Sequence, residues 1–394
     1  MQFEADQLLR SNLAYLALVS LCACLAIIAL SKFFPRLRGR ENDTIAVQSM
    51  HKNPTPRVGG IAIFGALACG AFFVPIPLSQ GYIGFLIALS VLFGVVLKED
   101  LGFVVSPRSR LLVLFVASLI VVVLTGEWLP RVGVFFLDPL LNYWIFGVPF
   151  TLLISAGVAN GFNMIDGVNG LASLTAMTSA IAIALIAQQA GYIPVANVSI
   201  LLAAAIFGFF LVNFPFGLIF LGDAGAYTTG FMLAWFGIAL IVNVDAVSPW
   251  AILLTVFWPL ADTLLAFYRR ARRNRGAMMP DRLHVHQLVM RGLEICFLGR
   301  KRRHISNSLA TVTLAPFVIM PQVAAVLLWH NNAAAFLAVL VFLGLFFGSY
   351  ALAISSVQNY RRKQTIEKYS DGPDVAVDPR RDTKVPAKRS AGVK

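Results

Sequence analysis

What this chain can fold into is limited above all by its division into long apolar runs separated by short polar, glycine- or proline-bearing segments. The runs fall near 13–34, 59–78, 81–97, 111–128, 145–159, 171–190, 198–217, 226–244, 248–268, 308–329 and 333–356. A helix needs about twenty apolar residues to cross a bilayer, and helices satisfy their own backbone polar groups there. The pattern predicts an all-α polytopic integral membrane protein with about 11 transmembrane helices, the fifth being the shortest. Charge is correspondingly scarce: 13% of the 394 residues are ionisable Asp, Glu, Lys or Arg, against about 25% in soluble domains. The cysteines, Cys22, Cys24, Cys69 and Cys296, form no Cys-x-x-Cys pair, so neither a disulfide nor a thiolate metal site is expected.

Basic residues set the orientation. Segments 32–57, 98–110, 269–303 and the tail from Arg361 hold 30 of the 32 lysines and arginines, and all four lie on one side if the runs alternate. That side is expected to be cytoplasmic. The odd number of spans then places the amino terminus outside and the carboxyl terminus inside. The first run reads as an uncleaved anchor, since it is long and is followed by Lys32-Phe33-Phe34-Pro35-Arg36. Residues 1–359 read as a single transmembrane domain and 360–394 as a basic, disordered cytoplasmic tail able to graze anionic lipid. The connection 129–144, rich in Phe, Leu and Trp, reads as an interfacial loop without chemistry.

Chemistry-bearing residues are sorted by side in the same way. The inner segments hold His51 to Arg57, Lys98-Glu99-Asp100, Ser106 to Arg110, the stretch Asn160 to Gly170, Phe220 to Gly225 and Pro280 to His286, whereas the outer connections are nearly empty. Asn160-Gly161-Phe162-Asn163-Met164-Ile165-Asp166-Gly167-Val168-Asn169-Gly170 puts amides, a carboxylate and glycines between two apolar runs. It suits ligand binding, and equally a glycine-rich turn capped by Asp166. Glu99-Asp100 is either a solvated helix end or a pair that holds Mg²⁺ or takes a proton from a phosphate. Asp223 is a helix-start carboxylate that could also bind metal. His284 and His286 sit between arginines and suit phosphate or metal contacts. Asp262, inside the ninth run after Pro259, is either functional or a hydrogen-bonding partner of a neighbouring helix. Several carboxylates, bases and a membrane position suit transfer between phosphate compounds. No Gly-x-x-x-x-Gly-Lys-Ser/Thr loop is present. A transporter would carry polar residues on to the outer side, and a non-catalytic sugar-nucleotide sensor would bind without turnover.

At these residues the chain resembles the polyprenyl-phosphate N-acetylhexosamine-1-phosphate transferases, glycosyltransferase family 4, which include the undecaprenyl-phosphate N-acetylglucosaminyl-1-phosphate transferases and, more distantly, phospho-N-acetylmuramoyl-pentapeptide transferase. The motifs are Pro54-Thr55-Pro56-Arg57-Val58-Gly59-Gly60, Glu99-Asp100 with Ser106-Pro107-Arg108, Asn160-x-x-Asn163-x-x-Asp166-Gly167, Gly222-Asp223-Ala224-Gly225, Pro259-Leu260-Ala261-Asp262-Thr263 and Pro280-Asp281-Arg282-x-His284-x-His286. The resemblance implies transfer of an N-acetylhexosamine 1-phosphate from a UDP-sugar to undecaprenyl phosphate at the inner face of a bacterial plasma membrane, with Mg²⁺ or Mn²⁺. UMP would be released and a lipid-linked, O-antigen-like polysaccharide begun. It implies no nucleic-acid partner and leaves room for a homodimer. By position it makes Asp223 a metal ligand, with Asp100 beside it. Glu99 and Asp100 become the acidic pair at the lipid phosphate, Asn160, Asn163 and Asp166 nucleotide-side residues, and Phe220 a uracil-stacking aromatic. His284 and His286 would lie at the pyrophosphate, and Arg57, Arg108, Arg110 and Arg282 at phosphate oxygens. The chain departs from the family pattern at Glu99, where Asp is usual, at Gln287, where His is usual, and at Asn169, where a second Asp is usual and where Asn reads as a base or sugar contact.

Overall fold

The computed structural model describes residues 2–38, 55–72, 76–272, 284–299 and 302–370; Arg282 and segment 39–54 lie outside them. Among the described residues the regular structure is helical throughout. The first compact unit, Met1–Leu345, opens with α1 (Gln2–Leu30), α2 (Gly59–Gly70), α3 (Ile76–Asp100) and α4 (Pro107–Thr125). A four-residue helix α5 (Asp138–Leu141) precedes α6 (Trp144–Ile165), α7 (Leu171–Gln189), α8 (Ile193–Asn213) and α9 (Gly222–Asn243). Then come α10 (Pro249–Thr255), α11 (Phe257–Arg272), α12 (Val285–Leu293), α13 (Arg303–Leu327) and the start of α14 (Asn332–Ser370). Among the described residues, nine helices are long and apolar enough to cross a bilayer, ten if α10 and α11 count as one bent span.

Three expectations change. The second run yields only α2, a 12-residue helix, because the chain turns at Ala71-Phe72 and the next helix starts at Ile76. The fifth span is not the shortest: α6 has 22 residues and carries the polar Asn160 and Asn163 within its helix, residues the apolar run stopped short of. The tail expected from residue 360 begins instead as helix, since α14 continues to Ser370 through Arg361-Arg362-Lys363-Gln364, good helix formers.

The ninth run is a bent pair, α10 and α11 meeting at 83°. Pro259 has no N–H to give Thr255 O, four residues earlier, so that carbonyl loses its helical partner where the chain bends. A carbonyl freed inside a membrane protein needs another donor. Thr255 O accepts the Ser179 hydroxyl of α7 at 2.6 Å, and the Gln322 amide of α13 lies 3.4 Å from the same oxygen.

At the centre stands α9, packed against α6, α3 and α2 and buried along nearly its whole length. Small residues allow this. A Cβ on Gly60 would lie 2.5 Å from the Gly225 nitrogen, so α2 and α9 meet backbone to backbone. Residues 56–60 lace onto the approach to α9: Phe220 N–H donates to Pro56 O, Gly59 N–H to Phe220 O and Gly60 N–H to Leu221 O, at 2.8–2.9 Å. The first N–H groups of α2, orphans in any helix, are thereby satisfied.

Candidate active site

The site is organised by the first turn of α9. Its leading N–H groups have no partner within the helix and attract negative charge. Three successive ones are taken by carboxylates from elsewhere. Gly222 N–H donates to Asp166, at the end of α6. Asp223 N–H donates to Asp100 Oδ1 at 2.8 Å and Ala224 N–H to Asp100 Oδ2 at 2.9 Å. Gly222 makes the turn possible: its φ is 76°, and a Cβ there would sit 1.9 Å from Arg57 O and 2.7 Å from Asp100 Oδ2.

Arg110, one turn into α4, ties the next layer. Its guanidinium lies 3.0 Å from Asp223 Oδ2 and 3.3 Å from Glu99 Oε2, with its carbon 6.0 Å from the centre of the Tyr227 ring. Tyr227 stands one turn beyond Asp223 and donates its hydroxyl hydrogen to Asn160 Oδ1 at 3.2 Å, while the Asn163 side chain bonds the Tyr227 hydroxyl. Arg57 faces both Asp100 and Asp166 electrostatically. Four carboxylates, two arginines, two amides and a tyrosine thus meet at one end of the bundle. Burial pushes the Asp166 carboxyl up to about 7; Arg57 and the Gly222 N–H oppose that shift and Asp223 adds to it.

A second group adjoins the first. Asp262 Oδ2 lies 2.6 Å from His284 Nδ1, and Asp262 Oδ1 accepts the Val285 N–H at 3.2 Å. His284 stacks on His286, with ring centroids 5.6 Å apart and planes 13° from parallel. His286 presses on Gly167, where a Cβ would come within 2.2 Å of its Nε2. Burial lowers the His286 imidazole to about 4, against Asp262, which raises it, and with His284, which lowers it further.

Of the residues singled out in the sequence, Glu99, Asp100, Arg110, Asp166, Asp223, Asn160 and Asn163 converge, with Arg57 at their edge. Phe220 enters through its backbone and is half-buried, whereas Phe216 nearby is open. Arg108 is exposed in the first turn of α4. Three of them are held by the protein itself. Each Asp100 oxygen receives one N–H of α9, which leaves it one further lone pair. His286 is 1% exposed, with both ring nitrogens buried, and packs against the turn at Gly167. Asn169 is a staple: its N–H donates to Asn307 Oδ1 at 2.6 Å, its carbonyl accepts the Thr311 hydroxyl at 2.6 Å, and its amide donates to Pro215 O at 3.1 Å. Asn213 extends the staple, accepting the Gly170 N–H and donating to Ile219 O, both at 2.7 Å.

Sequence reading missed Tyr227, Asn213, Asn307 and Thr311. Tyr227 had a signal, since position i+4 from Asp223 shares its helix face. Asn307 and Thr311 carry the same i, i+4 spacing but gave no hint of their partner.

This is a helical membrane protein whose acids and arginines gather on a helix N-terminus at one end of the bundle. Its match to the model for glycosyl transferase family 4 covers residues 82–241, which include both Asp100 and Asp223. Over 278 residues it is 30% identical to the decaprenyl-phosphate N-acetylglucosaminephosphotransferase of Mycobacterium tuberculosis, covering 62% of this chain and 67% of that one. Over 252 residues it is 31% identical to the undecaprenyl-phosphate alpha-N-acetylglucosaminyl 1-phosphate transferase of Salmonella typhimurium, covering 61% and 66%. A probable undecaprenyl-phosphate N-acetylglucosaminyl 1-phosphate transferase of Bacillus subtilis is 26% identical over 246 residues, covering 62% and 68%. The chain belongs to glycosyl transferase family 4 and is a multi-pass membrane enzyme, a sugar-phosphate transferase.

Proposed function

We propose that this enzyme moves an N-acetylhexosamine 1-phosphate from a UDP-sugar onto undecaprenyl phosphate at the cytoplasmic face of a bacterial inner membrane, releasing UMP and opening the assembly of a lipid-linked surface polysaccharide. One observation carries the reading: Asp166 and Asp100 are seated on consecutive N–H groups around Asp223, with Arg110 joining Glu99 to the same point. The relatives' names favour a polyprenyl phosphate and N-acetylglucosamine. The clustering of lysine and arginine favours the cytoplasm for this end of the bundle.

The donor set suits a divalent cation. Carboxylates outnumber the two arginines, so the centre is short of positive charge. Among the described residues, no three acids or histidines are grouped so as to enclose an ion by themselves. Mg²⁺ does not require that, because it is usually held by one or two carboxylates together with substrate phosphates. Asp223 would hold it, with Asp100 and Asp166 seated against the same turn, and Mn²⁺ could take the same place; the ion would offset the charge of the diphosphate. Arg57 and Arg110 hold phosphate oxygens, and Asn160, Asn163 and Tyr227 form a polar wall for the nucleotide or sugar. An oxygen of the lipid phosphate bonds to the β-phosphorus as the bond from that phosphorus to UMP breaks, and UMP leaves with the electron pair.

The test is UMP release by purified protein in detergent over a panel of UDP-sugars. Release should require lipid phosphate and divalent cation together, and Asp223→Asn should abolish it while eluting as the wild type does. Release without lipid phosphate, or near wild-type turnover by Asp223→Asn, overturns the reading.

A further inference from the structure

Asp262 is 1% exposed on α11, and nothing in the transfer chemistry above employs it. A carboxylate buried within a membrane protein is costly unless paired, and its partners are specific. Both come from the start of α12: His284 Nδ1 at 2.6 Å and Val285 N–H at 3.2 Å. The His284 ring stacks on His286, which abuts Gly167, and Gly167 follows Asp166 directly. A line of contact therefore runs from α11 through two imidazoles to the centre at α9.

The choice of a carboxylate over an amide matters here. An ionised carboxylate only accepts hydrogen bonds, so His284 Nδ1 carries the hydrogen and Nε2 keeps its lone pair when the ring is neutral. Asparagine at 262 would behave differently. Its Oδ1 would stay on the Val285 N–H, its Nδ2 would donate to His284 Nδ1, and the ring hydrogen would move to Nε2. Helix α12 would remain docked while the imidazole turned from acceptor to donor.

We propose that Asp262 is a positioning residue: it fixes the ring orientation and tautomer of His284 so that Nε2 offers an acceptor to the substrates of the transfer reaction. This rests on the function proposed above. Two readouts on the full-length protein in detergent test it. The first is nitrogen NMR of histidine-labelled protein, tractable with five histidines, the His284 signals being assigned by their loss in His284→Gln. Wild type should show hydrogen on Nδ1, and Asp262→Asn should show it on Nε2. The second is kinetics: Asp262→Asn should lose about tenfold or more in kcat with KM for the UDP-sugar within about twofold, and Asp262→Glu should recover part of the loss. A wild-type His284 with its hydrogen on Nε2 overturns the proposal even if Asp262→Asn does not fold. So does Asp262→Asn with unchanged tautomer or unchanged kcat. A wild-type protein that releases no UMP sinks the function reading instead, and the NMR result still decides whether the pair sets the ring.

Discussion

Replacing Asp100 by Asn separates holding α9 from doing chemistry. In the wild type each carboxylate oxygen takes one N–H from the first turn of α9, at 2.8 and 2.9 Å. Asparagine offers one oxygen and one NH₂ group, so whichever way it turns, one N–H of α9 faces another donor. The loss is one charge-assisted hydrogen bond, about 1.5–3 kcal/mol, and a buried donor is left unmet. Removing a negative charge beside Asp223 returns part of this, about 1 kcal/mol for partly screened charges. A net cost of about 2–3 kcal/mol remains, which at about 2 °C per kcal/mol for a chain of this size lowers the unfolding midpoint by roughly 5 °C. Turnover should fall about 100-fold or more, because displacing Asp223 by an ångström disturbs the reacting geometry. The assay is a thermal melt in detergent paired with UMP release. Lost turnover with a midpoint within about 1 °C of wild type would refute the capping role and return Asp100 to direct chemistry.

The Gly222→Ala variant should be worse than its size suggests. The residue would hold φ near 76° at a cost of about 1–2 kcal/mol while its Cβ drives into Arg57 O, so lost UMP release with weakened thermal stability is expected. Asn307→Ala orphans the buried Asn169 N–H and should cost about 1–3 kcal/mol. Thr311→Val acts on the same peptide, so a double-mutant cycle of melting should show the two losses to be non-additive. His286 gives a pH signature. Its imidazole titrates near 4 in the native protein against 6.5 when free, so the unfolded chain binds its proton first. Its contribution is whole above 6.5 and is lost as pH falls towards 4, up to about 3 kcal/mol. Asp166, raised from 3.8 to about 7, acts oppositely, withdrawing stability as pH rises through that window. The comparison is therefore the melting midpoint of His286→Gln against wild type from pH 7 to 5, with the gap narrowing in favour of the variant as pH falls.

The apolar runs were readable because a bilayer permits little else, and among the described residues ten of the eleven appear as a long helix or the bent pair. The run at 59–78 misled because it crosses from the end of α2 into the start of α3. The run 248–268 read as one span; its 83° bend rests on Ser179 and Gln322 standing ready to receive the carbonyl that Pro259 leaves loose. Acids at helix ends were legible one by one; that Asp100 and Asp166 would serve the backbone of α9 was not, since 123 residues separate Asp100 from Asp223. The tie from Asn169 to Asn307 was hidden for the same reason, since Asn307 lies 138 residues downstream and only packing of α13 brings the two together.

The elbow at Val256 also changes what α11 can feel. A rod turned by 83° gains almost no depth, so if α10 stands upright, α11 travels sideways. One flank of it, Leu264, Phe267 and Tyr268, is about half open, while Asp262 and Leu265 on the other flank are shut away. The open flank is the one that can meet lipid, while the closed one carries the carboxylate that fastens the start of α12.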